Sequence, residues 1–150
     1  MQLSAAGLAL LKQSEGFRGN TYLDIAGVPT IGYGHRLLPG ESYPNGITEA
    51  QAADLLVRDV TTAETAVGCL LRVSVTQGQF DALVDFVYNL GQGRLAESTL
   101  LKDLNAGQPD AAALQLLLWD HAGAKECAAL KARREAEYQL WTGHAPEKGA

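Results

Sequence analysis

The uneven distribution of glycine and proline is the feature that most constrains the fold of this chain. Seven of its 16 glycines and three of its five prolines fall between Gly16 and Gly46. Both residue types interrupt regular helices, so this stretch cannot be one long helix. Much of the remaining chain carries apolar residues at helical spacing. The sequence therefore predicts a short non-helical segment inserted into a mainly helical protein.

Two runs within the glycine-rich segment have the composition of β-strands. Residues 21–25 and 28–33 are rich in β-branched and aromatic side chains, and Ala26-Gly27 between them suits a tight turn. We expect a small β-hairpin, with Asp24 on its first strand and Thr30 on its second. Residues 39–46 are expected to form a loop.

Helix signals occur on both sides of the hairpin. Leucines 3, 8 and 11 predict a first amphipathic helix that ends at Glu15. Thr48 with Gln51 forms a capping-box pattern that begins a helix of about six turns. The apolar positions of this helix recur at helical spacing, at Ala52, Leu55, Leu56, Val60, Ala63, Val67 and Leu70.

The rest of the chain reads as four further helices. A second capping box, at 76 and 79, begins a helix that ends at Gly91. Ser98 or Thr99 begins a short helix. Pro109 begins another that runs to about His121, and the last spans about 126–141. The fold class predicted is α+β, mainly helical with a small β-hairpin lobe after the first helix and a long connecting helix.

Composition sets broad limits on organisation and partners. A chain of 150 residues with 47% hydrophobic residues predicts one globular domain over 1–143, with a hairpin lobe at about 16–46, a helical lobe at about 48–143 and a polar tail at 144–150. The net charge of −5 argues against binding to nucleic acid or to an anionic membrane. The apolar start of the chain lacks a positive n-region, so neither a signal peptide nor a membrane anchor is predicted.

The cysteines and histidines give no metal-binding pattern. The chain has two cysteines, Cys69 and Cys127, which we expect to be buried free thiols, with a disulfide as the alternative if the fold brings them together. No histidine–cysteine cluster has the spacing of metal ligands, so no metal and no cofactor are predicted. Arg133 and Arg134 are expected on a solvated or salt-bridged helix face.

The candidate chemistry lies in the glycine-rich segment and its flanks. Glu15 at a helix end, Asp24 on one strand and Thr30 on the other could face each other across a cleft. Glycoside hydrolysis needs one protonated carboxylic acid and one ionised carboxylate, and a hydroxyl can orient a water molecule. On spacing alone the signal is weak, because a surface Glu and Asp nine residues apart are common.

The residues around this triad resemble those of the phage-type lysozymes, or endolysins, of glycoside hydrolase family 24. The triad spacing matches the family's Glu-Asp-Thr signature, and the neighbouring segments EGFR and TYLDIAGVPTIGYGH match as well. QFDALVDFVYNLG, STLLKDLNAG and ALKARREAEYQL resemble the family's later helices. The resemblance covers about 3–140, nearly the whole chain.

This resemblance implies a muramidase that lyses bacteria. Such enzymes cut the β-1,4 bond between N-acetylmuramic acid and N-acetylglucosamine in peptidoglycan. Glu15 would be the general acid. Asp24 would position or activate the attacking water, or stabilise the developing oxocarbenium charge, and Thr30 would help hold that water. The family is described as inverting, which implies a carboxylate separation of about 6.5–9.5 Å.

The resemblance also assigns supporting residues and substrate contacts. His35 is expected to pair with Asp59 of the long helix, which would raise the pKa of the histidine. Arg18 would neutralise charge near the two carboxylates or hold Glu15, or it is a plain surface arginine. Candidate substrate-binding residues are Gly32, Tyr33, Asn89, Gln92, Ser98 and Thr99, although Tyr33 also suits the hairpin core.

Two alternatives to a muramidase stay open. A lytic transglycosylase would break the same bond without water, and a degenerate lysozyme would bind peptidoglycan without cutting it. The expected partner is the peptidoglycan glycan strand, and the expected state is a monomer without stable membrane association. The protein would be made in the host cytoplasm and reach the wall through a holin-type pore made by another protein.

Overall fold

The computed structural model describes residues 1–147, and the last three residues of the predicted polar tail lie outside them. The chain forms two compact units. The smaller unit is Leu11–Thr62, and the larger consists of Met1–Leu10 and the chain from Ala63 onward. Helices and small antiparallel sheets together make an α+β fold, as predicted.

The smaller unit contains the predicted hairpin together with a third strand. Helix α1 spans Ala5–Glu15 and ends in this unit. Strands β1 (Arg18–Leu23), β2 (Pro29–Gly32) and β3 (His35–Arg36) form an antiparallel sheet in that order. Strand β3 was not predicted, because two residues are too few to carry a strand pattern in the sequence.

The long second helix, α2, spans Glu49–Leu70 and begins at the expected capping box. The backbone N–H of Gln51 donates to Thr48 Oγ1, and the side chain of Gln51 accepts from the backbone N–H of Thr48. The buried apolar side chains of the smaller unit come from α1, the β2–β3 region and α2; they are Leu11, Ile31, Tyr33, Ala52, Leu55, Leu56 and Val60.

The larger unit is helical apart from one short hairpin. Its helices α3 to α7 span Gln77–Leu90, Gln92–Ala96, Thr99–Asn105, Pro109–Leu116 and Ala128–Thr142. Strands β4 (His121–Ala122) and β5 (Lys125–Glu126) pair antiparallel. Buried apolar side chains from several of these helices form one core cluster, which includes Phe80, Phe86 and Trp141. The half-buried Trp119 packs edge-on against Phe86 with ring centroids 5.3 Å apart.

Helix starts in the larger unit follow the sequence signals closely. The capping box at Thr76 and Gln79 is complete, and Ser98 caps α5 through its hydroxyl. The end of α6 and the start of α7 differ from the predictions. Helix α6 stops at Leu116 instead of near His121, because the chain turns into the β4–β5 hairpin, where Cys127 N–H donates to Asp120 O. The last helix therefore begins at Ala128, and the short helix α4 was not predicted.

The paired arginines of α7 are buried and salt-bridged, so the expected solvated face is wrong and the expected salt bridges are confirmed. Arg133 and Arg134 are 8% and 0% exposed. Arg133 holds the carboxylate of Asp85 with Nε–Oδ2 and Nη2–Oδ1 distances of 2.9 and 3.0 Å. Arg134 Nη2 lies 3.0 Å from Glu137 Oε1. Burial, followed by a hydrogen bond to Asp85 and then the charge of Asp85, raises the pKa of Glu137 well above its usual value.

The two cysteines also differ from expectation. Both are free, but Cys69 is exposed and Cys127 is half-buried, so neither is the buried thiol predicted. Over residues 1–147 no group of three or more His, Cys, Asp or Glu side chains is arranged to hold a metal ion. In the same described part of the chain, every helix is too short or too polar to cross a bilayer.

Candidate active site

Glu15 is the last residue of α1, where the sequence placed it. The helix ends here because Gly16 follows with a φ of 70°, while its N–H still donates to Lys12 O at 3.0 Å. The side chain of Glu15 is half-buried. It belongs to the same compact unit as Asp24 and Thr30.

Asp24 lies in the turn just after β1, not on the strand as predicted. Its backbone N–H donates to Val28 O at 3.0 Å, and its Oδ1 accepts from Val28 N–H at 2.9 Å. Gly27 N–H also donates to Asp24 O. An aspartate that bonds the backbone a few residues later replaces a strand ladder with a turn. The turn therefore sets the orientation of this carboxylate.

Thr30 lies on β2, as predicted, and is 2% exposed. Its backbone pairs with Tyr22 on one side and Arg36 on the other. Its hydroxyl donates to Val28 O at 2.9 Å. The same carbonyl accepts the N–H of Asp24, so Val28 joins the two predicted catalytic residues. With its proton given to Val28, the Thr30 oxygen keeps lone pairs that can accept from a water molecule.

Arg36 is a neighbour of this site that the sequence analysis did not single out. Its Nη2 lies 3.3 Å from Asp24 Oδ2. Strand β3 brings it there by pairing Arg36 opposite Thr30. Since β3 has no pattern of its own in the sequence, only the hairpin register reveals this contact.

The expected contact between His35 and Asp59 is present, with Nδ1–Oδ2 at 2.7 Å. The other ring nitrogen, Nε2, lies 3.0 Å from Glu41 Oε1. Burial by itself lowers the pKa of His35, but hydrogen bonds to Asp59 and Glu41, together with their charges, raise it above 6.5. A 6% exposed imidazole between two carboxylates is thus favoured in its protonated form.

Glu41 ties the loop after β3 to this histidine, a role the sequence did not indicate. It accepts from Leu38 N–H at 2.6 Å and from Tyr43 Oη at 2.8 Å. The pKa of Glu41 is lowered, chiefly by the hydrogen bond from Leu38 N–H, and burial opposes this shift. The same carboxylate raises the pKa of Tyr43 through their hydrogen bond.

The other hairpin candidates make packing contacts in this unit. The Arg18 guanidinium lies 4.3 Å from the centre of the Tyr22 ring. Tyr33 is 9% exposed, and its ring lies 5.8 Å from that of Phe17, which places it in the hairpin core. Gly32 has a φ of 68°, and a Cβ there would lie 3.1 Å from Ala52 Cβ. The glycine is therefore required for packing against α2.

The candidates from the larger unit lie on or beside α3, α4 and α5. Asn89 is half-buried, and its Oδ1 accepts from Arg134 Nη2 at 2.7 Å. The amide nitrogen of Asn89 is thereby turned away from Arg134. Gln92 and Thr99 are exposed. Ser98 is 7% exposed, and its hydroxyl donates to Leu95 O and accepts from Leu101 N–H, so both functions of this hydroxyl are engaged in the cap.

These contacts suit hydrolytic chemistry with a carboxylate and an oriented water. The Asp24 carboxylate accepts a hydrogen bond on Oδ1 and forms an ion pair with Arg36 on Oδ2. Thr30, joined to the Asp24 backbone through Val28 O, offers a hydroxyl acceptor. A helix-end glutamate, Glu15, precedes them in the same unit. The α+β architecture and this pattern define the lysozyme fold class.

Comparison with known proteins agrees with that class. The sequence profile of the family described as phage lysozyme matches residues 12–137. The chain is 40% identical over 144 residues to the endolysin of Salmonella phage P22, covering 94% of this chain and 98% of that protein. The chain therefore belongs to the phage lysozyme family.

The chain is also similar to endolysins of other phages. A SAR-endolysin of Bacteriophage PS119 is 38% identical over 132 residues, covering 85% of this chain and 77% of that protein. Two further endolysins are longer, and the chain spans 54% and 57% of them. Among solved structures, the muramidase domain of SpmX from Asticaccaulis excentricus superimposes with a TM-score of 0.86 at 32% identity, covering 94% of this chain and 97% of that domain.

Proposed function

We propose that the protein is a muramidase that hydrolyses the β-1,4 bond between N-acetylmuramic acid and N-acetylglucosamine in bacterial peptidoglycan, and so lyses the cell. The observation that carries this proposal is that Val28 O accepts hydrogen bonds from both the Asp24 N–H and the Thr30 hydroxyl. Membership of the phage lysozyme family supports a peptidoglycan-lysing enzyme. The likeness to a structure named a muramidase domain supports the choice of bond.

In the proposed reaction, Glu15 protonates the oxygen of the leaving sugar. Asp24 positions or activates the attacking water and takes up the proton that the water loses as its oxygen bonds to the sugar carbon, or it stabilises the developing positive charge on the sugar while that proton passes to solvent. Thr30 accepts a hydrogen bond from that water, since its own proton is engaged by Val28 O. Inversion would require the two carboxylates to stand about 6.5–9.5 Å apart, and this separation stays a prediction.

The proposed substrate contacts from the larger unit are Asn89, Gln92 and Thr99. Asn89 is the best supported, because Arg134 holds its amide oxygen and leaves its amide nitrogen free to donate. Ser98 and Gly32 are weaker candidates, since the first is engaged as a helix cap and the second in packing. Tyr33 is a weaker candidate for the same reason, because its ring is buried.

The test is digestion of purified peptidoglycan, with products identified by mass spectrometry. Wild type should release fragments with a reducing-end N-acetylmuramic acid. Glu15→Gln should lose at least about 100-fold in rate, since it removes the proton donor but keeps the shape. Glu97→Gln, an exposed acidic residue in the other unit, is the matched control and should digest like wild type.

Other products would favour the alternatives. A 1,6-anhydro sugar would identify a lytic transglycosylase, for which Asp24 and Thr30 have no water to position. Binding to peptidoglycan without cleavage by the wild type would identify a wall-binding module. Full activity of Glu15→Gln would contradict the proposed role of that residue.

The route to the cell wall and the oligomeric state are separate proposals. We propose a monomer, made in the host cytoplasm, that reaches the periplasm through a pore made by another protein. The name of the PS119 relative, a SAR-endolysin, points to the competing signal-anchor-release route. Expression in a Gram-negative host separates the two routes. The pore route predicts lysis only after the inner membrane is permeabilised, whereas the anchor route predicts lysis without that treatment.

A further inference from the structure

We infer that Arg36 is a positioning residue that holds the carboxylate of Asp24 in its working orientation. The inference rests on the proposed function, in which Asp24 positions the attacking water. It is carried by the Arg36 Nη2–Asp24 Oδ2 contact at 3.3 Å and by the register that pairs Arg36 with Thr30. All of these residues belong to the smaller unit.

The carboxylate of Asp24 is held from two directions. Val28 N–H donates to Oδ1 from the turn after β1, and Arg36 approaches Oδ2 from β3. The hydrogen bond on Oδ1 and the ion pair on Oδ2 together restrict rotation of this carboxylate. Each oxygen can accept more than one hydrogen bond, so both keep capacity for a water molecule. Loss of Arg36 would leave Oδ2 without this restraint.

Strand β3 is itself anchored, and this anchoring directs Arg36. His35, the preceding residue, is buried between Asp59 and Glu41. Neighbouring side chains on a strand point to opposite faces. With His35 fixed on one face, Arg36 is directed to the other, where its side chain is 67% exposed. The backbone adds a further tie, because Leu37 N–H donates to Pro29 O at 2.9 Å.

Because the Arg36 side chain is exposed, its effect on catalysis can be measured without a change in stability. Exposed ion pairs add little to folding free energy, so Arg36 variants should fold like wild type. The orientation of Asp24 matters only when the water attacks. Removal of Arg36 should therefore lower kcat and leave KM and Tm unchanged.

The experiment compares five proteins on soluble, uncrosslinked glycan strands prepared from peptidoglycan. These are wild type, Arg36→Ala, Arg36→Lys, Asp24→Asn and the control Arg58→Ala. Arg58 is an exposed arginine of α2 in the same unit, so its removal makes the same change in net charge. We expect Arg36→Ala to lower kcat about three- to tenfold with KM within about twofold of wild type. Arg36→Lys should restore at least half of the loss, because lysine keeps one charged donor.

Each other outcome overturns a specific claim. An unchanged kcat in Arg36→Ala, with Asp24→Asn inactive, overturns the role of Arg36 and leaves the proposed function standing. A raised KM at constant kcat makes Arg36 a substrate contact instead. An equal loss in Arg58→Ala, or a lowered Tm, assigns the effect to net charge or to folding. Full activity of Asp24→Asn contradicts the proposed function itself.

Discussion

At the scale of single residues, His35 shows how a buried group can keep a charge. Burial opposes the imidazolium form, yet Asp59 and Glu41 each face one ring nitrogen. A neutral imidazole has only one N–H and could donate to only one of these two carboxylates. The protonated ring satisfies both, so the surroundings raise its pKa. The sequence indicated the first partner through a family resemblance, and only the folded loop reveals the second.

This raised pKa predicts a pH-dependent stability with a definite sign. The folded-state pKa lies above the unfolded value of about 6.5, so the stabilisation is complete below that pH. It should be lost as the pH rises through the folded-state value. Urea unfolding at about pH 5.5 and pH 8.5, with an NMR titration of His35, measures the effect.

Variants of the histidine and its partners sharpen this measurement. Asp59→Asn and Glu41→Gln should each lower the pKa of His35, and His35→Gln should remove its share of the pH dependence. His144→Gln, an exposed histidine in the other unit, should leave that dependence as in wild type. An NMR titration that gives His35 a pKa at or below 6.5 would contradict the account.

Arg133 and Arg134 are buried although arginine is usually a surface residue. Arginine is usually exposed, so the sequence predicted a solvated or salt-bridged face for Arg133 and Arg134. The salt bridges are present, but they lie inside the unit, to Asp85 and Glu137. Asp85 lies on α3 and Glu137 on α7, and the local sequence of α7 does not indicate that Asp85 is a partner. Burial of a charge depends on a partner that is distant in sequence.

At the scale of elements, two helical glycines have opposite surroundings. Gly78, in α3, has Leu140 O of α7 where a Cβ would stand, at 2.0 Å. Gly68, in α2, has open space at the same position. Gly78 therefore allows α3 and α7 to approach closely. Gly68 has no neighbour close enough to require a glycine.

We therefore expect alanine to have opposite effects at these positions. Gly78→Ala should lower the free energy of unfolding by about 2–3 kcal/mol, because the methyl group collides with backbone. Gly68→Ala should raise it by about 0.5–1 kcal/mol through helix propensity alone. Urea unfolding of both variants and wild type tests the pair. A neutral Gly78→Ala would show that α3 and α7 can separate without loss of stability.

Element boundaries were predictable where a local signal sets them. The capping boxes at Thr48 and Thr76 begin helices as expected, because the stabilising hydrogen bonds span only three residues. Strand β3 and the β4–β5 hairpin were missed, since pairs of two residues are stabilised by their partner strands and not by their own composition. The end of α6 was misplaced for the same reason.

At the scale of the whole molecule, the net charge of −5 bears on how the enzyme meets its proposed substrate. The bacterial wall is an anionic polymer, so a uniformly acidic protein would be repelled at long range. Salt screens such repulsion: the Debye length falls from about 30 Å at 0.01 M to about 8 Å at 0.15 M.

This charge predicts that the initial rate of peptidoglycan digestion rises at least about twofold between about 0.01 M and 0.15 M salt. Soluble chitin oligosaccharides are the uncharged comparison substrate, and their cleavage should change little over the same salt range. Strong inhibition by salt over the same range would instead indicate a locally basic binding surface.

The amino-acid sequence was enough to identify the family, the helix starts at the capping boxes of Thr48 and Thr76, Glu15 at the end of α1 and Thr30 on a strand, because these depend on residues close together in the chain. The folded structure was needed to show that Asp24 lies in a turn, that Val28 O accepts from both Asp24 N–H and the Thr30 hydroxyl, that Arg36 reaches Asp24, and that Glu41 is the second partner of His35. It alone also placed Arg133 and Arg134 in the core. The physical reason is that a cap is made within one helical turn, whereas strand pairing and buried charge depend on partners that only the folded backbone brings together.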